Sequence, residues 1–209
     1  MILGPKEMKK GRAHIEKLVK MRTHIHLEGK KIQLVTNLQD FTALQNIYLQ
    51  ENHIYTLVNN PFAGLHKLTQ LSLYDNKIDM IEGLEDLVNL KKLYLEKNMI
   101  SKLQGLENCR RLEELYLGNQ QLSVGAFFEF DEYSLAAISA SLRNLDIPNS
   151  RVIQIKPLYY LEGLEQLNLK DNLVSNFEQD VCPILQTMNR LGVLNLKNNP
   201  VTSITKYRD

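Results

Sequence analysis

Two groups of side chains in this sequence are spaced so that they could do chemistry. The first is a run of tyrosines, Tyr48, Tyr74, Tyr94 and Tyr116, standing 20 to 26 residues apart, with Lys92, Glu96 and Glu114 close by in sequence. Tyrosine offers a large, stiff, amphipathic surface that holds other proteins well, so the chemistry indicated is docking rather than reaction. The second is His24 and His26, two residues apart. On a strand they would share one side and could bind one metal ion, but no third ligand is evident, which favours a solvated first strand. Cys109 and Cys182 form no CxxC pair and suit buried apolar positions better than nucleophilic ones. No GxSxG, Walker-type loop, HExxH or kinase signature occurs. The sequence therefore predicts no catalytic residue, no metal and no cofactor.

The elements that would position these residues follow from an internal repeat. The pattern LxxLxLxxNxI returns with its marked residues at positions 1, 4, 6, 9 and 11. It reads Leu44, Ile47, Leu49, Asn52, Ile54, then Leu68, Leu71, Leu73, Asn76, Ile78, then Leu90, Leu93, Leu95, Asn98, Ile100. Later copies read Leu164, Leu167, Leu169, Asn172, Val174 and Leu191, Leu194, Leu196, Asn199, Val201. Two copies carry Gln120 and Ser150 in place of the Asn, and a worn first copy reads Ile25, Leu27, Lys30, Ile32. That makes eight copies.

Positions 4 and 6 are two apart, so they share the inward face of a short strand. Positions 3, 5 and 7 then face the other way. The position-9 Asn can donate to and accept from backbone groups at the turn, and Asn52, Asn76, Asn98, Asn172 and Asn199 are expected to form a structural ladder. Gln120 and Ser150 are expected to serve that turn less well, with Asn119 and Asn149 one position earlier as near substitutes. A single copy cannot bury its own apolar face, so the copies must stack. The expected fold is an α/β repeat solenoid, curved, with short parallel strands on its concave face and 3₁₀ turns or short helices on its convex face.

Repeat length varies along the stack. The copies from Leu68 and Leu90 span 22 residues and carry Gly83 and Gly105 on the convex side, the copy from Leu112 spans 30, and that from Leu164 spans 27. In the 30-residue copy Asp131 is placed to N-cap a helix running from Glu132 to Ser141, with Leu135 and Ile138 inward. Residues 1–22 read as a basic cap helix with Met8, Ile15, Leu18 and Val19 as its apolar stripe. Seven Lys or Arg against two Glu give that stretch a net charge of +5, leaving −4 for residues 23–209, which make up the solenoid. At the other end Lys206 to Asp209 follow the last copy, and the C-terminal cap reads as incomplete.

The net charge of +1 gives no pull towards nucleic acid, no apolar run approaches the ~20 residues of a membrane span, and the opening residues hold no secretory h-region. A cytoplasmic or nuclear setting is expected.

In this form the copies resemble the leucine-rich-repeat family of the 22-residue type, typified by a regulator of protein phosphatase 1. The irregular centre is the most specific mark within it: Tyr116, Leu117, Gly118, Asn119, then Gly125, Phe130, Asp131, Ser134 and Leu135. Members include axonemal dynein light chain 1, ciliary assembly factors and a spliceosomal subunit. The resemblance implies a non-enzymatic scaffold, foremost a structural or assembly component of cilia or microtubule arrays. Alternatives are a regulatory subunit of protein phosphatase 1 and a spliceosomal subunit. The implied partner is an axonemal or tubulin-associated protein, or the phosphatase catalytic subunit. The implied contacts are Tyr48, Tyr74, Lys92, Tyr94, Glu96, Glu114 and Tyr116. No RVxF-type docking peptide is present, since Arg151 to Ile155 lacks the aromatic residue.

Overall fold

The computed structural model describes residues 12–203. Met8, Lys9, Lys10 and the rest of residues 1–11, and the expected closing segment Lys206 to Asp209, lie outside the described residues. Helix α1 (Arg12–Met21) leads into β1 (His24–His26), and seven more strands of the main sheet follow: β2 (Asn46–Tyr48), β3 (Gln70–Ser72), β4 (Lys92–Tyr94), β6 (Glu114–Tyr116), β8 (Asn144–Asp146), β9 (Gln166–Asn168) and β10 (Val193–Asn195). The eight strands form one parallel sheet in chain order, so each copy lies beside the next. Register is constant throughout: Ile25, Ile47, Leu71, Leu93, Leu115, Leu145, Leu167 and Leu194 stand opposite one another in a single row. All eight copies are present, the worn first one included.

The apolar residues at positions 1, 4, 6 and 11 fill a continuous core along the inside of the stack, most of them without solvent contact. At the last strand Leu191 and Leu194 are only half-buried. Each ladder asparagine bonds to its own copy and to the copy before. Asn76 Nδ2 donates to the Leu73 and Leu49 carbonyls, both at 3.0 Å, while its Oδ1 accepts from Ile54 N–H at 3.0 Å. Asn98, Asn172 and Asn199 repeat this arrangement. Because each side chain serves its predecessor, the first copy tolerates Lys30 at position 9. Asn52 supplies the acceptor for Lys30 N–H at 2.9 Å and Ile32 N–H at 3.0 Å.

The expectation for Gln120 is corrected. Its Nε2 donates to Leu95 and Leu117 carbonyls at 2.8 and 3.0 Å, and its Oε1 accepts from Ile100 N–H at 2.9 Å. One extra methylene leaves all three asparagine-type bonds in place. Ser150 does less, its hydroxyl lying 3.2 Å from the Leu117 carbonyl and 2.9 Å from that of Pro148. Asn119 and Asn149 are no substitutes for the ladder. They are exposed, with φ of 59° and 48°, and occupy a position-8 turn that is left-handed in every copy from Gly29 to Asn198. Asn and Asp adopt that conformation more readily than most residues, which explains Asp75, Asn119, Asn149, Asp171 and Asn198 at this place.

On the convex side the copies from Leu68 and Leu90 form no helix but hydrogen-bonded turns such as Leu87 N–H to Leu84 O at 3.0 Å, and the second also holds a two-residue strand. Gly83 and Gly105 sit there with φ of 68° and 71°, and a Cβ on either would run into the carbonyl oxygen of Leu57 or Ile81 in the preceding copy. Glycine is therefore required for backbone to meet backbone between copies. The 30-residue copy adds two features. Its β7 (Glu129–Phe130) pairs in parallel with β5 (Lys102–Leu103) as a small second sheet, which sequence spacing did not suggest. Helix α2 (Glu132–Ile138) is capped by Asp131, which accepts from Ser134 N–H at 3.1 Å, and buries Leu135 and Ile138. It stops at Ile138, short of the expected Ser141, because Ser139 to Ser141 turn towards β8. Two 3₁₀ segments (Lys156–Tyr160 and Pro200–Ser203), a π-helical turn (Phe177–Val181) and helix α3 (Cys182–Thr187) complete the convex side.

Helix α1 differs from the expected stripe. None of its residues is fully buried, and Ile15, Leu18 and Val19 are half-exposed, with Val19 packed against the core.

Candidate partner-binding face

The outer face of the sheet is built from positions 3, 5 and 7, whose side chains must point away from the core because positions 4 and 6 point into it. Constant register turns each position into a row. Position 5 runs His26, Tyr48, Ser72, Tyr94, Tyr116, Asp146, Asn168. Sequence spacing suggested one tyrosine cluster, and the structure resolves it into separate units. His26 stacks on Tyr48 with ring centroids 4.6 Å apart and planes 10° apart. Tyr94 stacks on Tyr116 at 4.8 Å and 5°. The small, buried Ser72 stands between the two pairs. Tyr74 lies in the position-7 row instead, under the Lys97 ammonium, which is 5.0 Å from its ring centre.

The charged neighbours are organised around the Tyr94–Tyr116 pair. Lys92 Nζ meets Glu114 Oε1 at 2.8 Å, and Tyr116 donates its hydroxyl to Glu114 Oε2 at 2.9 Å. Asn144 Nδ2 donates to the same hydroxyl at 3.1 Å. The hydrogen bond from Lys92 holds the Glu114 carboxyl below its ordinary value and the Lys92 ammonium above its own. Burial, helped by the Glu114 carboxylate, pushes the Tyr116 phenol up to about 12, so the ring stays neutral. Lys91, at the flank of the sheet, pairs with Glu113 at 2.8 Å.

Glu96 behaves differently. It is half-buried in the position-7 row, and its Oε2 is enclosed without a hydrogen-bond partner among the described residues. Burial pushes its carboxyl up to about 7, and the charge of Asp146 adds to the shift. Asp146 is itself raised by burial, although Asn168 Nδ2 donates to it at 2.6 Å. Along the position-7 row Glu96 is followed by Gly118 and then by Pro148 of Asp146's own copy, and a Cβ on Gly118 would come within 2.7 Å of the Pro148 ring. Proline is tolerated in this central strand because position-7 N–H groups do not serve the ladder, whereas Ile147 and Asn149 N–H donate to Asn168 and Lys170 carbonyls at 2.8 and 2.9 Å. Asp146, Asn144 and Asn168 were not among the expected contact residues. Their place in the position-3 and position-5 rows was the signal that could have found them.

The remaining candidates hold little chemistry. His26 Nδ1 lies 2.8 Å from Glu28 and His24 Nδ1 lies 2.9 Å from Thr23 Oγ1. Among the described residues no group of three His, Cys, Asp or Glu is placed to hold a metal ion. Cys109 is buried, which pushes its thiol up to about 12 and leaves it unreactive. No helix of the described residues is long and apolar enough to cross a membrane.

A leucine rich repeat family model matches residues 42–100, and a second, for two leucine rich repeat copies, matches residues 88–127. The fold is a leucine-rich-repeat solenoid. Solved structures agree along most of its length. An internalin C2 of Listeria monocytogenes shares 23% identity at a TM-score of 0.61 over 91% of this chain and 89% of its own. A leucine-rich-repeat protein of Leptospira interrogans shares 20% identity at 0.62, over 91% of this chain and 58% of its own. TLR13, solved in complex with ssRNA13, shares 20% identity at 0.71, over 90% of this solenoid but only 27% of its own chain. At such identities the likeness is one of fold.

Proposed function

We propose that this solenoid is a non-enzymatic protein-interaction scaffold that holds a protein partner on its concave face, with Tyr48, Tyr74, Lys92, Tyr94, Glu96, Glu114 and Tyr116 as its contacts. The observation that carries this reading is the Tyr94–Tyr116 stack. It places two parallel aromatic rings on the outer face of the central strands, braced by Glu114, Lys92 and Asn144. Pre-braced aromatic rings lose little conformational entropy on binding, which is the property of an interface anchor.

The partner we propose is an axonemal or tubulin-associated protein, and the setting a cytoplasmic, cytoskeletal one in a cilium, flagellum or centrosome. The family resemblance supports this, together with the irregular centre from Tyr116 to Leu135, which is similar to regulatory subunit 42 of protein phosphatase 1. Basic residues at the N-terminus add a charge attraction for an acidic surface to the hold of the concave face.

Co-sedimentation with purified axonemes tests the reading, comparing the full chain with a Tyr94→Ala/Tyr116→Ala double variant. The full chain is expected in the pellet and the double variant in the supernatant. A parallel capture with protein phosphatase 1 catalytic subunit distinguishes the regulator alternative. Equal pelleting of both proteins would remove the tyrosine pair from the interface.

A further inference from the structure

The half-buried carboxylate of Glu96 is one of two groups in the concave position-7 row, with the Gln50 amide oxygen, that the described residues leave unserved, and the one of the two that can carry a charge. The lysines around it are committed elsewhere: Lys92 to Glu114 at 2.8 Å, Lys97 over the Tyr74 ring, and Lys170 to Asp171 at 3.3 Å. Glu96 Oε2 is enclosed yet accepts no hydrogen bond among the described residues. An enclosed acceptor normally finds a donor, since leaving one unpaired is costly. Asp146 stands two strands away, close enough for its charge to act on Glu96, and Asn168 Nδ2 donates to its carboxylate at 2.6 Å. Gly118, in the copy between them, has no side chain, and the Pro148 ring packs where its Cβ would stand.

Beside this pair of carboxylates rise the stacked rings of Tyr94 and Tyr116, which follow Lys92 and Glu114 on the same strands. Carboxylates with unfilled acceptor sites next to tyrosine faces match one side chain better than any other. A guanidinium is planar, always charged, weakly hydrated, able to bond two carboxylate oxygens at once, and able to lie flat on an aromatic ring. An ammonium satisfies the charge but not the stacking. An anionic or purely apolar group would leave the enclosed oxygen unpaired.

We infer that Glu96 and Asp146, flanked by the Tyr94–Tyr116 pair, form the seat for an arginine side chain of the protein partner. This deepens the proposed function and rests on the concave face being the binding face. As the Glu96 carboxylate turns towards it, arginine supplies the donor that Oε2 lacks, and its charge neutralises the two carboxylates together. The seat is central on the sheet, with solvated strands to either side, as an interface anchor requires.

The test uses the full chain and a fluorescein-labelled tetra-arginine peptide, with tetra-lysine and tetra-glutamate peptides of the same length, read by fluorescence anisotropy at pH 8. Tetra-arginine is expected to bind more tightly than tetra-lysine, and tetra-glutamate not at all. Glu96→Gln should weaken tetra-arginine binding about tenfold and Asp146→Asn several-fold, while Glu113→Gln on the flank leaves it unchanged. Thermal melting of each variant verifies that it is folded. No tetra-arginine binding, or an equal loss in Glu113→Gln, would overturn the arginine seat by showing diffuse attraction. The axoneme assay separates the two levels. If Tyr94→Ala/Tyr116→Ala loses the partner while Glu96→Gln retains it and binds tetra-arginine normally, the concave face stands and the arginine seat falls. If the tyrosine variant retains the partner, the concave reading itself falls.

Discussion

Gln120 reaches back across a copy boundary and donates its Nε2 to the carbonyl of Leu95 at 2.8 Å, the same service that Asn98 renders to Leu73 at 3.0 Å one copy earlier. The irregular centre of the solenoid thus keeps the ladder through a longer side chain. Replacing Gln120 by Ala leaves the Ile100 N–H unpaired in the core and removes one of two donors from each of the Leu95 and Leu117 carbonyls, which keep Asn98 Nδ2 and the Ser150 hydroxyl. A loss of about 2–3 kcal/mol is expected, against less than about 1 kcal/mol for Gln120→Asn, measured by urea unfolding. An equal loss in both variants would show that side-chain length, not the amide, sets the bond.

Gly105→Ala tests the contact between copies. The position has φ of 71° and its Cβ would collide with the Ile81 carbonyl. Left-handed strain alone amounts to about 1–2 kcal/mol, and displacing backbone adds to it. A destabilisation above about 2 kcal/mol is expected in the same unfolding experiment. Gly125 also has positive φ, of 82°, but open space around it, so Gly125→Ala should cost only the strain.

Glu51 occupies the left-handed position-8 turn with φ of 59° and is exposed. Five other copies use Asn or Asp at this turn and the first uses Gly29. Relieving the strain with Glu51→Gly should stabilise the solenoid by about 0.5–1 kcal/mol, visible as a rise in Tm. A fall in Tm would show that Glu51 makes a compensating interaction.

Glu96 makes stability depend on pH with a determinable sign. Its folded carboxyl is raised from 4.5 to about 7, so between those values the folded chain holds a proton that the unfolded chain has released. Stability from this group is full below pH 4.5 and is lost as pH rises through about 7. Tyr94, Tyr116, Glu114, Asp146 and Lys97 surround it on the same face, and of the carboxyls Asp146 is shifted in the same direction, more weakly, and Glu114 in the opposite one. After allowance for solvent at a half-exposed site, the change is on the order of 1 kcal/mol. Glu96→Gln should be more stable than the parent at pH 8 and lose most of this slope. An unchanged slope would assign it to Asp146.

The inward half of the protein was legible in the sequence. Eight copies, their strands, their constant register and the asparagine ladder all follow from leucines and asparagines at fixed spacing, and Asp131 announced the cap of α2. The β5–β7 pair was not legible, because Lys102 and Leu103 meet Glu129 and Phe130 only after a 30-residue copy has folded over its neighbour. Gln120 breaks the asparagine pattern yet keeps the ladder, because the ladder needs an amide that reaches two carbonyls and not one residue type. Asn119 and Asn149 answer a demand on φ at position 8, which spacing alone does not display.

The tyrosines divide in the same way. Sequence by itself placed Tyr48, Tyr94 and Tyr116 on the outer face, since alternation along a strand leaves no other choice once the leucines point inward. Only the tertiary structure decided that Tyr94 lies against Tyr116 and Tyr48 against His26, that Tyr74 goes to Lys97, and that Glu96 is left without a donor. The physical reason is the range of the interactions. Inward positions are fixed by a period repeated within every copy. Outer neighbours sit on different strands a whole copy apart, and their pairing depends on side-chain directions and on which small residue, Ser72 or Gly118, stands between them.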